Sequence, residues 1–285
     1  MQNCSNSSQF TSAFPVCIAS SAVMVLCFLL GVIGNVAVLR TLIQRLKENN
    51  FTIRMMLSLA ISDLLNLLPL PVWIWALLHG WTFGSAACKI TFYIIIWMTS
   101  CSTLCVTLMS VQRFMQVLHP QKWSRLGTKG ENGLLWGIWI LSGVLASFVP
   151  VQYDVGCELY GFQFCYQHFT DDADKVVTTI LEITKFMVFF NLLFYFYYRL
   201  HRGVNESPFF SSNRMTKLVT RIVSLNFIFN ILVPTFDIVF ITAVFLNNDI
   251  LQETAELYTI MAKSLAFLNN CVNPFLYTFA FRQNH

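Results

Sequence analysis

The sequence predicts an all-α membrane protein, a bundle of seven transmembrane helices. Three observations carry this. Only 11% of the 285 residues are charged and 56% are hydrophobic, against about 25% charged in a soluble domain. So few charges can hardly clothe a water-exposed surface of this size, and lipid becomes the solvent for much of it. Seven apolar runs are long enough to cross, as helix, a hydrocarbon core about 30 Å thick, which takes roughly 20 residues. The runs are continuous, as in "VMVLCFLLGVIGNVAVL" at 23–39, without the alternation over about ten residues that marks a spanning strand.

The first span, near 16–41, is too long for a signal-peptide core and follows no basic segment, so it is expected to stay as a helix behind a tail, residues 1–15. The second, 53–78, carries Asp63 in "LSLAISDLLNLL". The third, 87–117, runs from Cys88 to Arg113 and exits through "SVQRFMQVLHP". The fourth, 133–153, carries Trp139, and the fifth, 175–200, carries Glu182 and Lys185. The sixth, 216–246, holds Pro234 and Asp237, and the seventh, 255–281, holds Lys263 and Asn273. Residues 282–285 are expected to form a short cytoplasmic tail after the seven-helix domain, 16–281. Gly31, Gly34, Pro69, Pro71, Pro150, Pro234 and Pro274 interrupt the spans. Proline removes a backbone donor and kinks a helix, and a bundle kinked at several levels can hold two arrangements.

Charge position gives the orientation. Arg40, Arg45, Lys47 and Arg54 surround the first loop, Lys122, Arg125 and Lys129 the third, and Arg199, Arg202, Arg214 and Lys217 the fifth. Acids gather in the fourth and sixth loops. By the positive-inside rule the odd loops are cytoplasmic and the N-terminus is extracellular. Asn3 and Asn6 then head glycosylation sequons on the outer tail. Asn50 and Asn205 also head sequons, but on the cytoplasmic side, where they are chance matches. Cys27, Cys101, Cys105 and Cys271 lie inside spans as small apolar packing residues. Cys4, Cys17, Cys88, Cys157 and Cys165 lie at or near the outer face, where disulfides persist. A bridge from Cys88 to the fourth loop would pin that loop over the bundle mouth, and sequence alone leaves its partner open.

Ionisable groups inside a span mark function by default. An aspartate at a helix centre costs about 2.5–3.5 kcal/mol to insert, so Asp63 must face the interior and find partners. Asn35, Ser102, Asn269, Asn270 and Asn273 are the candidates. Such a ring reads first as a polar network that fixes helix packing, with a hard cation such as Na⁺ as the other reading. Glu182, Lys185, Asp237 and Lys263 fall in the outward halves of spans five to seven. They either neutralise one another or leave a cation free for an anionic ligand. Tyr93 and Trp97 crowd the same level, with Trp97 deep enough to pack or to line a pocket. No metal-spaced histidine cluster, nucleophile motif or catalytic carboxylate pair appears, which argues against an enzyme. No basic patch suits nucleic acid, and no repeat with matching broken helices suggests a transporter.

Together these motifs resemble the rhodopsin-like G-protein-coupled receptors along essentially the whole chain. "GNVAVL" at Gly34–Leu39 is similar to the first-helix motif, Asp63 to the second-helix aspartate, and Trp139 to the fourth-helix tryptophan. Cys88 and Arg113 stand at the family's third-helix spacing. Tyr197, Pro234 and "NPFLY" (Asn273, Pro274, Tyr277) match the fifth, sixth and seventh helices. "GWTFGSAACK" and "LAFLNNCVNPFLY" are similar to the chemoattractant branch, leukotriene B4 receptors in particular, with formyl-peptide-type receptors next.

The resemblance implies a plasma-membrane protein, multi-pass among membrane lipids; no cofactor is expected apart from the Na⁺ that the residues around Asp63 offer as one reading. It implies a Cys88–Cys165 disulfide, with Cys157 the alternative. An extracellular ligand, an acidic lipid mediator by this likeness, would enter the outer cavity, and a heterotrimeric G protein would meet Arg113. Gln112, Arg113, Tyr197, Pro234, Asn273, Pro274 and Tyr277 would form the coupling and switch machinery. A ligand-binding protein that does not signal is the alternative.

The departures are specific. Gln112-Arg113-Phe114 replaces the usual Asp-Arg-Tyr, Phe189 the fifth-helix proline, Leu232 the sixth-helix tryptophan and Ile228 the phenylalanine below it. Phe267 and Ile95 stand where opsins and aminergic receptors carry their ligand-binding lysine and aspartate. Arg113 is expected to extend to water from the span's end. Gln112 brings no charge to pair with it, and Arg214 would repel it.

Overall fold

The structure is a computed structural model that describes residues 7–48, 50–157, 163–205 and 214–282. Twelve α-helices and one hairpin lie among them: α1 Ser7–Arg45, α2 Phe51–Leu67, α3 Leu70–His79, α4 Gly84–Leu118, α5 Pro120–Ser124, α6 Gly127–Ala146, α7 Val149–Gln152, β1 Tyr153–Cys157, β2 Gln163–Gln167, α8 Asp172–Asn205, α9 Arg214–Asn230, α10 Leu232–Phe245, α11 Asp249–Ala266 and α12 Leu268–Arg282. They stack into seven membrane helices. These are α1, α2–α3, α4, α6–α7, α8, α9–α10 and α11–α12. Six are long and apolar enough among the described residues to cross a membrane by that measure alone. The seventh, α11–α12, carries Asp249, Glu253, Glu256 and Lys263, which dilute its hydropathy.

Several boundaries differ from the expected spans. Helix α1 begins at Ser7, inside the stretch taken as tail, although Pro15 lies within it. The second span breaks before Pro69 and Pro71, and the fourth before Pro150. The sixth breaks at Ile231, three residues before Pro234, because a proline ring clashes with the turn that precedes it. Asn50, one of the chance sequons, caps α2 by accepting from the Thr52 amide at 2.9 Å. Asn3, Asn6 and Cys4 lie outside the described residues.

The hairpin is the one element that the helical pattern does not announce. β1 and β2 pair antiparallel with Val155 opposite Cys165. Cys165 bridges to Cys88 at the start of α4, with Cα atoms 5.5 Å apart. Tyr153 stacks on Phe92 at 4.1 Å, and the Trp81 amide donates to the Gln163 carbonyl. The hairpin is thus held flat across one end of the bundle. Ser85 donates to Asp154 and holds that carboxyl below its usual range. Cys17 is a free, buried thiol.

In lipid the hydrophobic effect gives little reason for helices to meet, and close packing of small residues and interhelical hydrogen bonds take over. Outward apolar side chains such as Trp136, Ile140 and Val144 repeat every fourth residue on α6 and stay exposed. Inward, Leu42, Met55, Met56, Leu59, Val106, Met109 and Ile222 form a closed cluster at the end away from the hairpin. Gly34 lets α1 lie directly on the seventh helix: a Cβ there would stand 3.0 Å from the Pro274 ring.

Gly34→Leu is therefore expected to push the first and seventh helices apart. Overpacking of this kind costs about 1–3 kcal/mol. It should appear as a fall of several degrees in the melting temperature of the solubilised protein, with Gly133→Leu, which meets open space, as the control that stays near wild type.

Candidate functional site

A cavity of about 540 Å³ opens beneath the hairpin. Tyr153 roofs it, and Trp73 and Phe92 pack against each other at 4.6 Å along one wall. Phe190 of α8 stacks on Phe227 of α9 at 4.3 Å on the other. Glu182, Lys185, Asp237 and Lys263 all line it. Among the described residues none of the four has a salt-bridge partner within 4.0 Å. Asp237 Oδ2 is buried without any hydrogen-bond partner among them. The four charges thus face a shared, mostly aromatic space without neutralising one another in contact.

Two expected lining residues are elsewhere. Trp97 turns to the fourth helix, where its Nε1 donates to the Trp139 carbonyl at 3.1 Å and its ring covers Gly143. Tyr93 follows it, with ring centroids 5.5 Å apart. They lie at the right depth on the wrong face of α4, which presents Phe92, Ile95, Ile96 and Thr99 to the cavity instead. Leu232 and Ile228 are 36% and 55% exposed and point away from the cavity, which Phe227, Asn230, Val233 and Asp237 line.

The cavity reaches down to Ser102, Asn269 and Asn270, and so to Asp63. That carboxylate is fully buried. Oδ1 accepts from Ser102 Oγ at 2.9 Å and Oδ2 from Asn273 Nδ2 at 2.7 Å, which ties the second, third and seventh helices. Asn35 Nδ2 donates to the Gly31 and Asn270 carbonyls, both at 2.9 Å, and joins the first helix to the seventh. Asn269 and Asn270 make no hydrogen bond to Asp63: the Asn270 contribution is its backbone carbonyl, and Asn269 Oδ1 has no partner among the described residues.

At the far end of α4, Arg113 does not extend to water. It is 8% exposed and folds back into the bundle. Its Nη2 donates to Thr52 Oγ1 at 2.9 Å and its Nη1 to Gln116 Oε1 at 3.0 Å. Thr52 Oγ1 donates to Gln112 Oε1 at 3.2 Å. Among the described residues no carboxylate takes part. A threonine hydroxyl links the arginine to the neutral residue beside it, and so α4 to the foot of α2. Phe114 packs edge-on against Phe196 of α8 at 5.4 Å. The side chains of Tyr197, Arg214 and Tyr277 lie outside the described residues. Pro274 sits within α12, buried against α1.

The sequence profile of the 7 transmembrane receptor (rhodopsin family) matches residues 34–277. The chain belongs to that family. Leukotriene B4 receptor 1 of Homo sapiens is 29% identical over 75% of the chain, a match that spans 60% of that protein's length and so less than two thirds of it. C-X-C chemokine receptor type 2 of Mus musculus is 26% identical over 90% of the chain and 73% of its own length. C-C chemokine receptor type 8 of Mus musculus is 27% identical over 88% of the chain and 73% of its own length. The family is one of membrane receptors, not enzymes.

Within this receptor Thr52 and Gln116 are the residues that sequence reading missed. Thr52 stands in the first turn of α2, where a hydroxyl reads most simply as local backbone capping. Its proximity to Arg113 is a contact across sixty-one positions with no motif to announce it. Removing its hydroxyl leaves a buried guanidinium donor and an amide acceptor unpaired, which costs about 1–3 kcal/mol. Thr52→Val should therefore raise ligand-free signalling several-fold at matched surface expression, since about 1.4 kcal/mol is tenfold in a population. Unchanged basal activity would show that this cluster does not hold the resting arrangement.

Proposed function

We propose that this receptor sits in the plasma membrane with its N-terminus and hairpin outside, and that it transmits the binding of an extracellular acidic lipid mediator to a heterotrimeric G protein. One observation carries the ligand reading. Lys185 and Lys263 face an aromatic cavity with no acid in contact among the described residues, and a lysine there is a point charge for a carboxylate. The likeness to leukotriene B4 receptor 1 supports the same chemistry. Bound ligand would favour an arrangement in which Arg113 leaves Thr52 and meets the G protein among the basic loops. It contributes only its difference in affinity between the two arrangements.

Asp63 would hold a Na⁺ ion in the resting state. Its carboxylate, the Ser102 hydroxyl and the Asn273 amide oxygen are hard oxygen donors of the kind such a cation takes. Asn35 Oδ1 is buried with no partner among the described residues, so acceptor capacity remains at this level. The ion would hold the second, third and seventh helices together by charge as Ser102 and Asn273 do by hydrogen bonds.

Asp237 supports a second reading. Its unpartnered oxygen suits the ammonium of a peptide, and the chemokine-receptor relatives are consistent with that. The two readings separate by mutation. With leukotriene B4 as the probe, Lys263→Met or Lys185→Met is expected to lower affinity about tenfold or more, the worth of a charge-assisted hydrogen bond, while Asp237→Asn leaves it intact or raises it. If both lysine variants retain wild-type affinity, the acidic anchor is elsewhere. If only Asp237→Asn abolishes activation by peptides, the second reading holds.

A further inference from the structure

The cavity continues well below the lysines. On α8 its lining extends from Glu182 to Leu193 and Phe194, about 18 Å of helix at about 1.5 Å per residue. On the seventh helix it extends from Lys263 to Asn269 and Asn270, and on the sixth from Asp237 to Asn226. Leu232 and Ile228 point outward and do not divide the upper part from the lower. One unbroken space therefore joins the charged level to the level of Asp63.

The two ends differ in chemistry. The upper end carries charges. The lower end carries neutral amides, and two of them have an acceptor with nothing to accept among the described residues. Asn66 is 3% exposed and Asn269 6%, both line the cavity, and the Oδ1 of each is buried without a partner. The amide nitrogen of Asn66 is already engaged with Thr99 Oγ1 at 3.2 Å. The Asp63 oxygens each accept a bond from the protein, Oδ1 from Ser102 and Oδ2 from Asn273. Between the two ends the walls are Phe186, Phe190 and Phe227, with Ile95 opposite.

We propose that the lower end is a separate ligand subsite that takes a neutral hydrogen-bond donor, a hydroxyl or amide N–H, at the far end of the acidic lipid. The inference rests on the reading that Lys263 and Lys185 hold that lipid's carboxylate. A neutral donor fits better than an organic cation because both free acceptors are uncharged and the nearby carboxylate, Asp63, is already engaged by Ser102 and Asn273. The ligand so defined is an amphiphile polar at both ends: a carboxylate above, an apolar chain against the phenylalanines, and a hydroxyl below. Its lower end would stand beside the network that ties the second, third and seventh helices, so recognition and the change of arrangement would meet in direct contact.

The test uses the full chain, solubilised, and straight-chain carboxylic acids from dodecanoic to icosanoic, each compared with its ω-hydroxy derivative. Affinity is read from ligand-dependent thermal stabilisation. At the chain length that spans the cavity the hydroxy acid should bind about tenfold tighter than its parent, the gain of satisfying a buried acceptor. Asn269→Leu and Asn66→Leu, measured separately, should reduce that advantage while leaving the parent acid's affinity intact, and Lys263→Met should weaken both acids alike. Equal affinity of acid and hydroxy acid at every length, or an advantage that survives both asparagine changes, overturns the subsite and leaves the carboxylate anchor standing. Binding of neither series by wild type overturns both. The wild-type comparison needs no variant to fold.

Discussion

The Asp63 carboxylate, held by the Ser102 hydroxyl and the Asn273 amide, is the interaction on which this bundle turns. In lipid a helix gains little by hiding apolar side chains from a solvent that is equally apolar. A charged group at the membrane centre does discriminate, because leaving it unpaired costs several kcal/mol. Asp63 therefore fixes which faces of the second, third and seventh helices meet. Asn35 does the same for the first helix through the Asn270 carbonyl, and Gly34 allows the contact by offering no side chain to the Pro274 ring. The disulfide and hairpin act at the other end, where Cys88 anchors the roof of the cavity to the helix that carries Ser102 and Arg113.

That third helix is the physical link between the three polar centres. It presents Phe92 and Ile95 to the cavity, Ser102 to Asp63, and Arg113 to Thr52. A displacement along it is felt at all three. Because Leu232 and Ile228 point outward, they place no barrier between cavity and network, which share one space. At the end of α4 away from the hairpin, neutral hydroxyl and amide oxygens hold the buried Arg113 guanidinium, with no carboxylate taking part among the described residues.

The spans were legible because seven apolar runs and the bias of basic loops survive without any knowledge of packing. Asp63 was legible because insertion cost forces a partner on it, although its partners could be narrowed only to a set of polar residues on several helices. The Cys88–Cys165 pairing came from family resemblance, since spacing alone left Cys157 open. What escaped was azimuth. Trp97 and Tyr93 lie at the depth of the cavity but on the face of α4 that packs against Trp139, and depth along a helix says nothing about which way a residue points. Leu232 and Ile228 likewise fall off the stripe Phe227, Asn230, Val233, Asp237 that the sixth helix turns to the cavity. Arg113 looked free to reach water because the buried hydroxyl that retains it lies on another helix. The hairpin escaped because its short strands are fixed by a disulfide and by contacts to Trp81 and Phe92 rather than by a hydrophobic pattern of their own.

The most direct test of this account is a double-mutant cycle on Asp63 and Asn273, using Asp63→Ala, Asn273→Ala and the pair, read as the thermal stability of the solubilised receptor. Residues that share one buried hydrogen bond should show a coupling of about 0.5–3 kcal/mol, so the double variant should lose clearly less than the two single variants together. Strict additivity would mean that the seventh helix is not held through this carboxylate, and the account of the bundle built on it would fail.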